Sequence, residues 1–453
     1  MKFRMSRIAA AIAAATMASS AGAVVVVGGD NGWEISFDGN VNAFYTHFND
    51  DNADTTTTVT TTATGATVAS TVTSVSGEDA SRVHSGFLPA FFSFNVKSPT
   101  VNGLTGRARF SFAPTIQTAK GGNSVGTSGG LVGANIDTRE VLASVDGSFG
   151  TVSFGRTLSI FGRQAILHDM TLFGVGNVGG GADFGSVTAG GIAHGYLYPD
   201  FQARFAYATP SINGFKAEVG VYDPSEPGVL GGPSAFETEI PRFEGELSYA
   251  TTFTNGSLLV WGDGMWQEVG QGNTGLDDFD VWGFGGGAEI GYMGFALTGY
   301  YQVLEGTPLS LNKVGTVGTF AAPGNVTCGT LAGSTTVSCE EAEQDEWYVQ
   351  GTYNFGQGTK VGFRYGQANQ DGESRVVNAL GADTNHPFAE VELEMWSIGV
   401  YHDVNSWLKL IAEYNNESAD SESVTIDGTT GLTTTSSTED GWDAFSVGAF
   451  ITW

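Results

Sequence analysis

The chain has 453 residues, of which 15% are charged and 12% are aromatic, and its formal charge is −29. Soluble globular domains usually contain about 25% charged residues, so this composition is not typical of such a domain. Binding to nucleic acid depends on basic clusters that displace counterions, and this acidic excess argues against a nucleic-acid partner.

Residues 1–23 have the three parts of a secretory signal peptide. Three basic residues precede an apolar run that starts at Ile8, and small residues at 21–23 provide a cleavage site. The apolar run is too short to anchor the chain as a transmembrane helix. We therefore predict cleavage after residue 23, which removes three basic residues and no acid and takes the formal charge from −29 to −32. Residues 24–453 then form one domain.

Alternation of apolar and polar residues recurs along the rest of the chain, whereas helical periodicity is rare. In "GFKAEVGVYD", every second residue from Phe215 to Val221 is apolar, and Lys216 and Glu218 lie on the other face. Such alternation predicts β-strands with one apolar face. About sixteen strands are predicted, at residues 33–48, 83–98, 104–119, 136–147, 150–160, 196–210, 214–223, 241–253, 257–269, 279–292, 294–305, 346–355, 359–369, 389–403, 406–417 and 441–453.

The connections between these strands are short and long in turn. Short turns such as "SING" (211–214) and "YMG" (292–294) alternate with loops rich in Thr, Gly and acids, such as 50–81 and 306–345. Strands of about ten residues joined in this way are typical of an antiparallel transmembrane β-barrel. A closed sheet satisfies its own backbone hydrogen bonds inside hydrocarbon, which an open sheet does not.

The C-terminal residues, "SVGAFITW" (446–453), agree with a closed barrel. Val447, Ala449, Ile451 and Trp453 share one face, so the sequence ends within an apolar strand. A terminal strand in a soluble sheet usually has a polar exit because chain ends fray into water. A soluble β-sandwich is the main alternative, but it does not require a bare last strand or loops sorted by length.

Two cysteines, Cys328 and Cys339, lie in a loop rich in Gly, Thr and Ser. Exported proteins meet oxidising conditions, so we predict a disulfide that closes this loop. A metal site is the weaker interpretation, because two thiolates without a nearby histidine make a poor zinc site.

Three stretches resemble the general porins of the Gram-negative outer membrane. They are "NGLTGRARFSFA" (102–113), "REVLASVDGSFGTVSFGRT" (139–157) and "YATPSINGFKAEVGVY" (207–222). The resemblance implies a sixteen-stranded, water-filled barrel that forms homotrimers, with an inward-folded third loop (here 161–195) that narrows the pore. It also implies that the terminal aromatic residue, here Trp453 where the family mostly has Phe, is recognised by the outer-membrane assembly machinery.

Basic residues on the predicted strands fall on the polar face. Arg109, for example, alternates with Ala108 and Phe110. A basic residue that faces the middle of the bilayer costs about 2–4 kcal/mol, so we expect these side chains to face the pore. They are Arg107, Arg109, Arg204, Lys216, Arg242, Arg364 and Lys409.

At Arg156 the alternation and the resemblance disagree. Strict alternation places Arg156 on the apolar face with Val152 and Phe154, whereas the arginine of the porins' "GR" signature lines the constriction. Glycine inside a strand commonly marks a β-bulge, and a bulge at Gly155 would turn Arg156 toward the lumen. We follow the resemblance and predict Arg156 in the constriction.

The segment 161–195 occupies the place of the porins' inward-folded loop. Its only acids are Asp169 and Asp183. If they face the arginines of the wall, they create a transverse field that sorts solutes by charge in a confined aqueous channel.

These features together predict a passive channel for small hydrophilic solutes and ions in the outer membrane of a Gram-negative bacterium. The acidic surplus predicts a preference for cations. One alternative is a substrate-selective channel, because aromatic residues fall on the lumen face at Tyr222, Tyr300, Tyr348 and Phe450. Another is an adhesin or receptor barrel that uses the long Thr-rich loops.

An enzyme is not expected, because none of the six histidines accompanies a recognisable nucleophile motif. The expected partners are outer-membrane lipid, further copies of the chain in a homotrimer, the assembly machinery, and small solutes and ions. We expect no cofactor and no metal.

Overall fold

The computed structural model describes residues 24–28, 31–49, 53–62, 64–76, 79–116, 136–178, 187–224, 239–270, 279–307, 326–328, 339–373, 376–377, 383–385, 388–426 and 432–453. The predicted signal peptide at 1–23 lies outside these ranges. None of the helices within them is long and apolar enough to cross a membrane.

The described chain consists almost entirely of strands. Its two helices are α1 (Arg163–His168) and a 3₁₀ helix (Met170–Phe173). The strands are β1 (Val24–Gly28), β2 (Glu34–Asn49), β3 (Ala53–Thr61), β4 (Thr67–Ser76), β5 (Ala80–His84), β6 (Phe91–Lys97), β7 (Thr105–Pro114), β8 (Ile136–Gly147), β9 (Gly150–Leu158), β10 (Phe201–Ala208), β11 (Phe215–Tyr222), β12 (Arg242–Phe253), β13 (Gly256–Val269), β14 (Phe279–Tyr292), β15 (Phe295–Glu305), β16 (Val326–Cys328), β17 (Cys339–Glu341), β18 (Glu343–Gly356), β19 (Thr359–Glu373), β20 (Val376–Val377), β21 (Asp383–Asn385), β22 (Phe388–Asp403), β23 (Leu408–Ile426) and β24 (Thr433–Thr452).

Sixteen of these strands close into an antiparallel barrel, as predicted. Twenty strands form one sheet, in which β1 and β5 pair with β2, β3 pairs with the end of β24, and β4 pairs with β3. The two small ribbons, β16–β17 and β20–β21, are separate. Each remaining strand pairs with its neighbour in sequence, and β24 returns to pair with β2.

Each wall strand has an apolar outer face and a mostly polar inner face. On β12, Phe243 and Leu247 are exposed, whereas Glu244 and Glu246 are buried. The outward side chains around the barrel are mainly Val, Leu, Ile and aromatic residues, which suits contact with lipid. Carboxylates, hydroxyls and guanidinium groups therefore turn toward the interior.

The last strand closes the barrel against the first strand of the wall. β24 pairs with β2 from Thr452 opposite Asn40 to Asp443 opposite Asn49. The backbone N–H of Trp453 donates to the carbonyl oxygen of Gly39 at 3.1 Å. Its ring lies 5.7 Å from that of Phe37, on the outer face. The apolar C-terminal strand is thus paired along both edges.

Most predicted strand positions agree with the observed ones, and β8 and β14 coincide with them. The predicted strand at 83–98 is instead split into β5 and β6. Between them the chain turns inward, where the N–H of Gly86 donates to Asn42 Oδ1 at 2.8 Å and that of Phe87 to the carbonyl of Gly174 at 2.9 Å. Pro89 cannot donate to a sheet, so it favours this break.

The first long loop contains regular structure that we did not predict. Within 50–81, β3 and β4 form a hairpin, and β3 pairs with an extension of β24. Threonine is β-branched and favours strands, which explains why so Thr-rich a segment continues the sheet. β23 likewise extends to Ile426, well past its predicted end at 417.

Candidate functional site

The segment between β9 and β10, residues 159–200, leaves the wall and lies against inward-facing side chains of six strands. We call it the inner loop; its described parts are 159–178 and 187–200. Its hydrogen bonds and ion pairs reach residues on β11, β12, β13, β18, β19 and β23. Most of its described residues are buried.

The start of the inner loop is held by two carboxylates of the wall. The backbone N–H groups of Ile160 and Phe161 donate to Glu244 Oε2 at 2.8 and 2.9 Å. The next N–H, that of Gly162, donates to Asp263 Oδ2 at 3.1 Å. Gly162 has a φ of 74°, a conformation that suits glycine and lets the chain turn into α1.

Helix α1 is fastened through its first two side chains. Arg163 Nη2 lies 3.0 Å from both Glu218 Oε2 and Glu246 Oε2. Gln164 Nε2 donates to Glu246 Oε1 at 3.0 Å. Burial alone would lower the pKa of the Arg163 guanidinium, but the two carboxylates raise that pKa well above its usual value. The arginine therefore stays charged and keeps α1 on the wall.

The middle of the inner loop is organised around Asp169 and Arg364. Asp169 accepts hydrogen bonds from the N–H of Thr171 at 2.9 Å and from Tyr196 Oη at 2.6 Å. Arg364 of β19, whose side chain is fully buried, has its Nε 3.5 Å from Asp169 Oδ1. Its Nη2 donates to the carbonyl oxygen of His194 at 2.7 Å. One arginine thus joins two distant parts of the loop to the wall.

The aromatic rings around Arg364 complete this contact. The guanidinium lies 4.8 Å from the centre of the Tyr348 ring and 6.0 Å from that of Tyr196. Burial, with the charge of Arg364 beside it, lowers the pKa of His194 to about 3. The His194 ring is therefore neutral near pH 7 and adds no charge to this network.

Two acids of β23 hold the later part of the inner loop. Glu413 Oε2 accepts hydrogen bonds from the N–H groups of Val175 at 2.6 Å and Gly176 at 3.1 Å. Tyr401 donates a short hydrogen bond to the other oxygen of Glu413. Glu417 Oε1 accepts from the N–H of Val178 at 3.3 Å. Wall carboxylates therefore bind loop N–H groups along its length.

The structure places the two predicted loop acids differently from our expectation. Asp169 is buried and faces a single arginine, Arg364, through a closed network, and it does not face a row of wall arginines across open space. Asp183 lies outside the described residues. Most of the acids that contact the loop belong to the wall.

Apart from Arg156, the predicted pore cations lie on the inner face, and each has an acidic partner. Arg109 binds Glu140 at 2.7 Å and Asp38 at 3.1 Å. The other pairs are Arg107 with Asp146, Arg204 with Glu218, Lys216 with Glu218, Arg242 with Glu244, Arg364 with Asp169, and Lys409 with Asp403.

Our prediction for Arg156 is wrong in its local structure. The pairing of β9 with β8 and with β10 runs through Arg156 without a shift in register, so no bulge occurs at Gly155. Gly155 has a φ of 119°, yet this left-handed conformation does not insert an extra residue. Strict alternation therefore holds, and Arg156 is exposed on the outer face with Val152 and Phe154.

Lys360 is an inward cation that our sequence analysis missed. It lies on β19 four residues before Arg364, and its Nζ is 4.9 Å from the centre of the Tyr401 ring. Among the described residues, no carboxylate oxygen lies within 4.0 Å of it. The alternation in "TKVGFRYG" places Lys360 on the same face as Arg364, so this signal was present in the sequence.

Comparisons with known proteins agree with the barrel geometry. A family model described as Gram-negative porin matches residues 8–422. The outer membrane channel DcaP of Acinetobacter baumannii has a TM-score of 0.57 at 13% identity, covering 95% of this chain and 100% of that chain. OmpT, an outer membrane protein of Vibrio cholerae, has a TM-score of 0.50 at 16% identity, covering 95% of this chain and 100% of that chain. A comparison with curated protein sequences finds no match.

At these identities the likeness to solved structures shows the fold alone. The family model, however, matches most of the sequence. The closed sixteen-strand wall with its apolar outer face agrees with the same assignment. The chain therefore belongs to the Gram-negative porin family and is a β-barrel of the outer membrane.

Proposed function

We propose that this protein is a passive channel for small hydrophilic solutes and ions, narrowed by the inner loop. The observation that carries the proposal is the contact of this loop with the inward face of six strands, which leaves less of the barrel interior for water. Diffusion through such a channel breaks no covalent bond, and we propose no catalytic role for the chain.

The channel selects solutes by the charges that are left without partners. Most inward arginines are neutralised by wall carboxylates, so they contribute little net field. The acidic surplus of the whole chain favours cations at the channel entrances. The positive charge of Lys360, which faces inward at the turn end of β19, opposes this preference. We propose a modest overall preference for cations.

The aromatic residues of the lumen face support loop docking more than solute selection. Tyr222, Tyr300 and Tyr348 are each at most 3% exposed. Tyr348 Oη donates to the carbonyl oxygen of Ala165 in α1 at 3.0 Å. Because these rings are covered, they do not provide a platform for sugars, and a substrate-selective channel is the less favoured alternative.

The remaining parts of the proposal concern export and assembly. Residues 1–23 act as a signal peptide, the mature chain forms a homotrimer, and Trp453 serves as the recognition residue for the outer-membrane assembly machinery. The position of Trp453 supports this role, because its ring packs at the closing seam of the barrel against Phe37 and Phe92.

The test is the single-channel conductance of the refolded mature chain (24–453) in a planar bilayer under a salt gradient. We expect ohmic steps in groups of three, with a reversal potential on the cation side. Failure to insert, or insertion without ion conductance, would contradict a passive channel. Steps that do not group in threes would contradict the trimer alone.

We also propose the disulfide between Cys328 and Cys339. The two residues lie directly opposite each other in the antiparallel ribbon β16–β17. We expect the intact mass of the exported protein to rise by about 2 Da on reduction, and no thiol to react with an alkylating reagent beforehand. Two alkylated thiols in the unreduced protein would contradict this prediction.

A further inference from the structure

Arg156 is an unpaired cation on the outer face of the wall. Its side chain is exposed, and no hydrogen bond or ion pair joins it to another described residue. Arg139 of the neighbouring strand differs in that its side chain is largely covered and its Nε lies 2.9 Å from Asp137 Oδ2. Arg156 therefore presents a whole guanidinium charge to whatever surrounds the barrel.

The surface on the turn side of Arg156 is apolar. Phe154 precedes it on the same face of β9, and Phe205 of β10 lies opposite Phe154, with ring centres 5.9 Å apart. These two rings are 43% and 69% exposed, and Val141, directly opposite Arg156 on β8, is 41% exposed. This patch has the character of the lipid-facing band.

On the other side of Arg156 the wall becomes polar and ends. β9 stops at Leu158, two residues later, and the inner loop begins. Asp137 and Arg139 lie at this level on β8. Long loops of barrels of this class are on the extracellular side, so Arg156 sits where the apolar band meets the outer headgroup region.

An unpaired guanidinium at that depth needs an anion. A basic residue on the lipid face costs little near the interface but several kcal/mol deeper, so the position is stable only at the headgroup level. Guanidinium binds phosphate through two parallel N–H donors, and it is less strongly hydrated than an ammonium group. A lipid that binds there through its phosphate also has acyl chains, and these can pack on the exposed rings of Phe154 and Phe205.

We propose that Arg156 binds the phosphate of an anionic lipid in the outer leaflet, whose acyl chain lies over Phe154 and Phe205. This site is on the outside of the barrel, so it is independent of solute passage through the lumen. It also explains an arginine in a strand position where the alternation calls for an apolar residue.

The test compares lipid retention by the refolded mature protein and its R156Q variant. The probes are diphosphorylated lipid A and its dephosphorylated form, and bound lipid is counted by native mass spectrometry. We expect R156Q to retain the diphosphorylated lipid about tenfold less well, since a hydrogen bond to a charged group contributes about 1.5–3 kcal/mol. R156K should recover part of this loss, and the dephosphorylated lipid should not distinguish the variants.

The control is R139Q, which removes an arginine of the neighbouring strand that already has a carboxylate partner. It should retain lipid like the parent protein. Equal retention by R156Q and the parent would overturn the proposal. Loss of the oligomer in R156Q alone, with lipid retention unchanged, would instead assign Arg156 to an interface between copies of the chain. Unchanged single-channel conductance of R156Q keeps this test separate from that of the channel function.

Discussion

Replacement of Arg364 by alanine is expected to release the middle of the inner loop and to raise both the conductance and the noise of the open channel. The side chain is fully buried and joins Asp169 and the carbonyl of His194 to β19. Its removal leaves Asp169 buried without its cation, and breaking such a pair costs about 3–5 kcal/mol. Because the strand pairing of the wall does not depend on Arg364, we expect this loss of free energy to weaken the binding of the inner loop to the wall. Single-channel recording of R364A measures the effect.

Two further variants separate loop release from general damage to the barrel. R109Q removes another buried wall arginine, whose carboxylate partners Asp38 and Glu140 lie on β2 and β8, so it should conduct like the parent. Gly174→Ala acts from the loop side, because a Cβ at this position would collide with the carboxylate of Glu413. We therefore expect Gly174→Ala to raise the conductance and the noise of the open channel, as R364A does.

The opposite result would be informative about the lumen. If R364A and Gly174→Ala form heat-stable barrels whose conductance and noise match those of the parent, the inner loop does not restrict ion flow. The narrowest part of the channel would then lie elsewhere, and the proposed role of the loop would be wrong. Heat-dependent migration on a denaturing gel provides the check that each barrel is folded.

Replacement of Lys360 by glutamine is expected to make the channel more selective for cations. Lys360 faces inward, and no described carboxylate oxygen lies within 4.0 Å of its Nζ. At about 10 Å in water a unit charge changes the energy of a passing ion by about 0.4 kcal/mol. Because the energies of a cation and an anion shift in opposite directions, their permeability ratio changes about fourfold. The reversal potential under a salt gradient measures this ratio, and K360E should shift it further in the same direction.

The matched control for this prediction is K97Q, which changes the net charge of the protein by the same amount. Lys97 already forms a 3.0 Å ion pair with Glu34 at the turn end of β6. A larger shift in K97Q than in K360Q would mean that selectivity arises at the channel mouth. No shift in either variant would place the path of ions away from both residues.

The strand pattern was readable from the sequence because the signals that define it are local. Side chains alternate with a period of two, and turns require residues that tolerate a positive φ. The turn between β14 and β15, for example, has Met293 at a φ of 47° and Gly294 at 93°. These local signals located β8 and β14 to the residue and indicated closure by the apolar C-terminal strand.

The conformation of single residues was less accessible. Gly155 takes a left-handed φ inside β9, but nothing near it in the sequence tells whether such a glycine inserts a bulge or keeps the register. Pairing with β8 and β10 decides this, because a shift would move Arg156 and every later side chain to the other face. The resemblance therefore misled us where simple alternation was right.

The sequence by itself determined the class of protein, most strands of its wall, the face on which most wall charges lie and the segment that forms the inner loop. Only the tertiary structure decided which charges are neutralised and what holds the loop. Glu413 is separated from Val175 by 238 residues, and the two meet only because the barrel has closed and brings β23 opposite the loop. Contacts between such distant segments have no local pattern, since they depend on the shape of the completed wall.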